Sequence, residues 1–574
     1  MASAWLASAQ SAADSGGFHP HAAFAFIRTG ERTPLARSDT PSLTALGANQ
    51  MYTLGKNIRN RYIAGGPGAL GEEPIANLSQ NILDNNQVHV QTLDTGYLVS
   101  SAQAFMQGLY PPHGISNGTG DVTGLLADGT VLDFPLNGYQ YPSIQASGQS
   151  DPYSLHVAGS QACPIAQRDA MRYFTTESFY NTKNATEDFY NNLPTDWFQG
   201  NIAESEIDFV NALQVSEYLE YQNAHNSTIY TLLSNDSQYN GTLEKARFLA
   251  DEQAWYLYGN TSTASNDADN QAMAGKTLAS LIVGQFYALI MDRTQGGNPT
   301  DMSYPLMFVL GEQEPIVSLI SLMMADYHNT YFKAVPEFGS AMIFELFSTG
   351  ANVDFPTDEE DLWVRFSFHN GTGYENNQLI AFPIFGNGPS NTDIQWREFR
   401  QLMSRISMDS ISEWCETCAS SSIFCQGVDG SDITLIVPES RKQPKVSPTV
   451  AGVIGAIVTL AVAGLLFMLA MLLGGIRFHR VQTRSKKNSE LGGFKGSAKL
   501  ASDPDLSLAK NVAPVAGIVS VGDGTQKRGH ERVGSWELRQ KEFNKDIGET
   551  RSPRASFDAI DAVAAKPVEP RMSV

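Results

Sequence analysis

Residues 450–476 (VAGVIGAIVTLAVAGLLFMLAMLLGGI) run for 27 positions without a charged side chain. At ~1.5 Å per residue a helix of that length reaches about 40 Å, against a bilayer hydrocarbon core of about 30 Å. A core helix of a water-soluble domain rarely stays uncharged for so long, so the run reads as a transmembrane helix with room for tilt. It obliges the flanking parts of the chain to fold separately. Small residues at Ala451/Gly455 and Gly452/Ala456 would allow close helix packing, although that spacing is a weak signal.

The charge pattern divides at the same place. Residues 477–574 carry 18 of the 39 basic and 12 of the 60 acidic residues, a net of +6, which leaves −27 for the rest. Arg477, Arg480, Arg484, Lys486 and Lys487 follow the run directly. The positive-inside rule therefore places 477–574 in the cytosol. Glycosylation sequons agree with that orientation: Asn77, Asn117, Asn184, Asn226, Asn235, Asn240, Asn260 and Asn370 each begin an N-x-[ST] triplet, and all precede the run. A single-pass type I protein of the secretory pathway is expected, with its N-terminal part outside the cell and the plasma membrane as its destination. A translocated N-terminal part needs a signal peptide, and in residues 1–22 that signal is weak or missing. The opening MASAWLASAQ has no basic stretch and a weak apolar one, so the expectation is that translation starts upstream of Met1.

Between residues 23 and 426 short apolar stretches alternate with longer amphipathic ones. Strands are expected at 23–27, 88–91, 306–310, 341–346, 362–368 and 379–385. Helices are expected at 95–108, 206–221, 275–294, 316–326 and 393–407. Long helical pieces separate the early strands from the late ones. The fold class is α/β: a central mixed sheet flanked by helices, with a mostly helical inserted subdomain at about 150–275. Residues 427–449 are polar and hold three prolines, which suits a stalk, and 488–574 have too few large apolar residues to offset the entropy of ordering. The acidic ectodomain argues against nucleic acid or other polyanions as partners. No metal-ligand spacing or cofactor loop is present, so no cofactor is expected. The four cysteines, Cys163, Cys415, Cys418 and Cys425, fit two disulfides in an oxidising compartment, with three pairings open.

One stretch carries chemistry. In 24–34 (FAFIRTGERTP) a buried strand runs into a charged turn holding Arg28, Thr29 and Arg32. The stretch resembles the Arg-His-Gly-x-Arg-x-Pro signature of the histidine acid phosphatase family, with threonine where the family has histidine. Further matches follow in order: 101–112 (SAQAFMQGLYPP), 304–314 (YPLMFVLGEQE), 339–346 (GSAMIFEL) and 364–366 (VRF). Together they extend over roughly 23–425.

The resemblance implies a mechanism in which histidine attacks phosphorus, arginines and a second histidine hold the phosphoryl oxygens, and a carboxylic acid protonates the leaving group. Arg28 and Arg32 match two phosphate-binding arginines, whose forked donors suit phosphoryl oxygens. Thr29 occupies the nucleophile position, Gln91 that of a third arginine and Glu312 that of the second histidine. Glu314 matches a proton-donating glutamate, and Gln313 stands where another form of the motif has aspartate. An alcohol needs an adjacent base to act as a nucleophile. Arg28 and Arg32 are expected to pair with Glu312 and Glu314 as an ion cluster of about zero net charge. His19 and His21 lie at the far end of the strand from Thr29 and read as ordinary surface histidines. The resemblance also implies the pairing Cys418–Cys425 with Cys163–Cys415.

The expected function is a membrane glycoprotein whose phosphatase-like ectodomain is inactive and acts by binding an anionic or carbohydrate ligand. Tyr180, Tyr190, Trp197 and Phe198 in the insertion weakly favour a carbohydrate. The alternative is an atypical acid phosphatase or phytase-like phosphomonoester hydrolase.

Overall fold

The computed structural model describes residues 17–65, 74–114, 124–261, 269–295, 303–327, 329–372 and 379–427. The expected membrane helix at 450–476, the tail, the stalk beyond residue 427 and Asn117 lie outside the described residues.

An eight-stranded mixed sheet organises these residues. Its order is β3 (Ile144–Ser147), β2 (Val88–Leu93), β4 (Leu306–Gly311), β1 (Gly17–Arg28), β5 (Ala341–Gly350), β6 (Leu362–His369) and β7 (Ile380–Ala381), with β8 (Asp393–Gln395) also on β6. β3, β2, β4 and β1 run parallel; β5 to β8 continue the sheet with antiparallel pairings. β1 is central and apolar on both faces, as a strand covered by helices on each side must be. Ala22, Phe24 and Phe26 pack on one face with Phe286 and Ile320, while Ala23, Ala25 and Ile27 pack on the other with Met51 and Phe105.

Met273–Gln295 is the longest helix among the described residues. With the turn from Asn270 it is long and apolar enough, by length and composition, to cross a membrane. Most of it is buried, however, with Leu278, Ile282 and Phe286 packed against β1 in the core.

Between β3 and β4 every described element is helical, in line with the expected insertion. Its helices enclose a third core, around Trp197, Phe198, Tyr218 and Leu219. Trp197, Phe198 and Tyr190 are core residues, and Tyr180 is exposed.

Some boundaries differ from expectation. β1 begins at Gly17, six residues early, and carries His19 and His21 with it. His19 is 6 % exposed, with its Nε2 3.0 Å from the Gly350 carbonyl, and His21 Nε2 lies 2.8 Å from Ser348 Oγ. These histidines belong to the sheet and not to the surface, because β5 continues to pair with β1 beyond the apolar stretch. The expected 206–221 helix is two short turns followed by the helix Ala212–His225. In 393–407, β8 comes first and the helix Trp396–Met403 follows.

The disulfides also differ from the pairing that the resemblance implied: they are Cys163–Cys418 and Cys415–Cys425. Helix geometry supplies the reason. In Ile411–Cys418 the buried face is Ile411, Trp414 and Cys418, spaced for one side of a helix. Trp414 Nε1 donates to Gly159 O at 2.8 Å, and Ser420 Oγ donates to Ala162 O at 2.7 Å. That face therefore meets Cys163, and Cys415 turns toward the short helix containing Cys425.

Candidate functional site

Ligands in open α/β sheets usually bind outside the carboxyl ends of the parallel strands, and here β1, the last of them, borders the antiparallel part of the sheet. Arg28 is the last residue of β1, in register with Gly311 at the end of β4. Thr29 N donates to Gly311 O at 2.9 Å, and Gly339 N donates to Thr29 O at 3.0 Å, so the turn is held from both sides. Gly30 and Gly47 let this turn lie against the start of the helix Ala45–Arg59: a Cβ on Gly47 would sit 2.0 Å from Glu31 O.

Thr29 is fully buried. Its Oγ1 donates to Gly30 O at 3.1 Å and shares a 2.6 Å hydrogen bond with Ser101 Oγ, from the helix Gly96–Leu109. Neither partner is a base. Gln91, 1 % exposed, spends its amide nitrogen on Tyr153 O at 2.8 Å and faces His156 Nδ1 at 3.3 Å.

Arg32 is 1 % exposed and fully engaged. Its Nη1 and Nη2 donate to the two oxygens of Glu217 at 2.7 and 3.1 Å, and its Nε donates to Glu312 Oε1 at 2.8 Å. Tyr97 OH donates to the same Glu312 oxygen at 2.8 Å. Burial works against the Glu312 carboxylate, but Arg32, helped by Arg28 and Tyr97, outweighs it and holds Glu312 below the usual carboxylate range.

Arg28 is different. It is 5 % exposed, stacks on Phe338 at 3.9 Å and donates from Nη1 to Pro336 O. Among the described residues no carboxylate lies within ion-pair distance of it, and its buried Nε has no partner. Burial lowers its pKa from the ordinary guanidinium value, against the pull of Glu312 and Glu217.

Glu314 does not join the expected ion cluster; Glu217 takes that place. Glu314 opens the helix Glu314–Leu322, and burial pushes its pKa up to about 7, with Ser160 acting the other way. The reason is local: Glu312 ends the strand turn facing Arg32, whereas Glu314 has entered the next helix.

A cavity of about 260 Å³ opens beside these groups, lined by Arg28, Arg32, Gln313, Glu217, Glu220 and Arg247 among others. Thr29, Gln91 and Glu312 do not line it. Arg247 comes from the helix Thr242–Tyr258 and is ringed by Glu220 at 2.9 Å, Glu337 at 2.9 Å and Asp251 at 3.4 Å. Burial raises Asp251 to about 6 despite Val335 N and Arg247. The insertion thus closes over the motif turn and clamps it twice more: Leu35 N donates to Glu217 Oε1 at 3.0 Å, and His225 Nε2 lies 2.8 Å from Glu31 Oε2.

Glu217, Arg247 and the Ser101–Thr29 contact were not anticipated from the sequence. Arg247 and Asp251 have the i,i+4 spacing of a helical ion pair, which was a legible signal. Glu217 had none, because its partner lies 185 positions away. Of the asparagines that begin N-x-[ST] triplets, Asn77, Asn184, Asn235, Asn240 and Asn370 are exposed, while Asn226 and Asn260 are half-buried.

The model of the histidine phosphatase superfamily (branch 2) matches residues 33–369, starting one residue after Arg32. No curated protein matches the chain. Among solved structures, the phytase of Klebsiella sp ASR1 is similar at 13% identity and a TM-score of 0.42, covering 68% of this chain and 97% of that one. The phytase of Citrobacter braakii is similar at 12% identity and 0.42, covering 68% and 98%. A multiple inositol polyphosphate phosphatase of Bifidobacterium longum, in complex with phosphate, is similar at 12% identity and 0.40, covering 68% and 92%. Likenesses at this level say nothing about activity.

Proposed function

Because this chain belongs to the histidine phosphatase superfamily (branch 2), we propose that its histidine acid phosphatase-like domain is catalytically silent and acts by binding. The observation that carries this reading is the setting of Thr29: buried, hydrogen-bonded to Ser101 and Gly30, without an adjacent base and off the cavity wall. Phosphoryl transfer needs an activated nucleophile in line with the phosphorus. Loss of such a group costs on the order of 10⁶ in rate. The anion pocket is spent as well, since Arg32 is neutralised by Glu217 and Glu312 and the third arginine position is the amide Gln91.

The uncharged run at 450–476, the basic residues after it and the one-sided sequons support a glycosylated single-pass membrane protein with this domain outside the cell. The alternative of an atypical phosphomonoesterase has one observation in its favour: burial raises the Glu314 carboxyl to about 7, so that it keeps a proton to donate in the acidic range.

The deciding experiment is an assay of the purified full-length protein with p-nitrophenyl phosphate across acidic and neutral pH. No turnover above background is expected. Turnover at ordinary enzymatic rates that disappears in Arg28→Ala would overturn the proposal. Protease protection of the tail in sealed vesicles, with a mass shift on deglycosylation, tests the topology.

A further inference from the structure

We infer that the cavity beside Arg28 is a binding site for a neutral, multiply hydroxylated single ring of the monosaccharide class, and that it excludes phosphate esters. This deepens the binding role proposed above and rests on it.

Two residues of the cavity wall, Arg28 and Gln313, each carry a buried polar atom without a partner among the described residues: Arg28 Nε and Gln313 Oε1. The first can only donate and the second can only accept. Leaving such groups unmet costs about 1–3 kcal/mol each, so a ligand that satisfies them has to donate and accept at neighbouring positions. Hydroxyl groups on a ring do both. A phosphoryl group, carrying about −1.5 to −2 at pH 7, offers acceptors almost alone; it suits Arg28 and leaves Gln313 unmet.

Charge points the same way. Arg32 is held by two carboxylates and Arg247 by three, Glu220, Asp251 and Glu337. The wall itself carries Arg28, Arg32 and Arg247 with Glu217 and Glu220, and Glu312, Asp251 and Glu337 hold Arg32 and Arg247 from behind it, so two of the three cations are already spent. Two unit charges ~4 Å apart at an effective dielectric of ~20 interact by about 4 kcal/mol; a dianion entering here finds one cation without a carboxylate partner, Arg28, and is repelled by the wall carboxylates Glu217 and Glu220 that hold the other two. A neutral polyol meets no such repulsion, and the half-buried carboxylates of Glu217 and Glu220 on the wall remain as acceptors for its hydroxyls. The size also fits: about 260 Å³ lies just below the ~300–1,000 Å³ of sites for drug-sized ligands, which suits one ring. The mixed wall, with Leu35, Val210 and Leu257 beside Asn211, Gln214 and Ser216, matches a ring that presents C–H faces and O–H edges.

The test is ligand-observed saturation-transfer NMR with calorimetry on the full-length protein, using glucose, galactose and mannose, glucose 6-phosphate, and inorganic phosphate. At least one neutral sugar is expected to bind at or below about 10 mM, at least about tenfold tighter than glucose 6-phosphate or phosphate. Gln313→Leu and Arg28→Met, which remove the unmet acceptor and donor separately, are each expected to weaken that sugar about tenfold or more. Binding of glucose 6-phosphate or phosphate as tight as that of any neutral sugar overturns the inference. So does the absence of sugar binding up to about 10 mM, which requires no variant to fold. Turnover of p-nitrophenyl phosphate refutes the silent reading whatever the sugars do. No turnover together with no sugar binding refutes this inference alone.

Discussion

Arg28 and Arg32 stand four residues apart in one turn, both almost fully buried, and the protein treats them in opposite ways. Arg32 lies between Glu217 and Glu312 with its donors spent. Arg28 has an aromatic face and a carbonyl, and no carboxylate within ion-pair distance among the described residues. The difference comes from direction along the chain. Arg28 is the last strand residue and points among strand ends and the 336–338 segment, while Arg32 has turned toward the inserted helices. The Arg32 side is thus a structural ion cluster that fastens the insertion to the sheet. The Arg28 side, with Thr29, Gln91 and Glu314, keeps polar groups that are neutral or lack a countercharge.

The largest effect is expected on the paired side. Glu217→Ala removes two charge-assisted hydrogen bonds from Arg32 and the acceptor of Leu35 N. Breaking a buried ion pair by deleting one partner costs about 3–5 kcal/mol, and denaturant unfolding is expected to show a loss in that range. A loss below about 1 kcal/mol, the value of an exposed pair, would break the distinction between the two sides.

Glu314 sharpens it through pH. Its pKa is about 7 when folded and about 4.3 when unfolded. The folded state therefore binds the extra proton, and the associated stability is intact below about pH 4 and lost as pH rises through 7. Glu314→Gln mimics the protonated form. It is expected to leave stability unchanged near pH 4 and to raise it by up to about 4 kcal/mol above pH 7.5. A pH-independent difference between the variant and the parent would show that Glu314 carries no such burden. His21 and His89, whose pKa values burial lowers to about 4, act in the opposite sense as pH falls, which is why the comparison has to be made variant against parent.

Thr29→His restores the missing imidazole to the frame and is expected to restore no phosphatase activity. Gln91 and Glu312 still deny the phosphoryl group its cations. The larger ring also enters a site with no exposure, where overpacking costs typically 1–3 kcal/mol. Strong rescue of turnover by this single change would show that the pocket around Arg28 retains its anion affinity.

How much of this was legible differs between the two sides for the same reason. β1, β4 and the motif turn could be read because apolar runs and a local signature fix them, and the insertion could be read from its helical length. Arg28 ends β1 with Thr29 and Arg32 in the turn after it, as the strand-then-charged-turn reading expected, and Glu312 directly follows β4. Partners drawn from the insertion could not be read: Glu217 and Arg247 meet the turn only through tertiary docking of helices, with no local spacing to announce it. The cysteine pairing that the resemblance implied failed on one helical face, since Ile411, Trp414 and Cys418 share the buried side and Cys415 does not. The buried Glu345, held by Arg61 and Tyr62, was likewise hidden, because within β5 it reads as one polar residue in an apolar strand.

The smallest effect belongs to Arg28→Met. A buried cation pays for its desolvation, and without a carboxylate in contact little repays it. The shape of a methionine fits beside Phe338, and the substitution gives up one hydrogen bond to Pro336 O and the cation–π contact, worth about 1–2 kcal/mol together. Relief from desolvation offsets much of that, so the net change expected from denaturant unfolding is within about 1 kcal/mol in either direction. A loss of about 3 kcal/mol or more would mean that Arg28 is held as firmly as Arg32 and that the contrast within the turn is false. A near-neutral result, found together with a large loss in Glu217→Ala, would mean that the fold does not need the Arg28 guanidinium, and the remaining reason for a charge in that position is what enters the cavity.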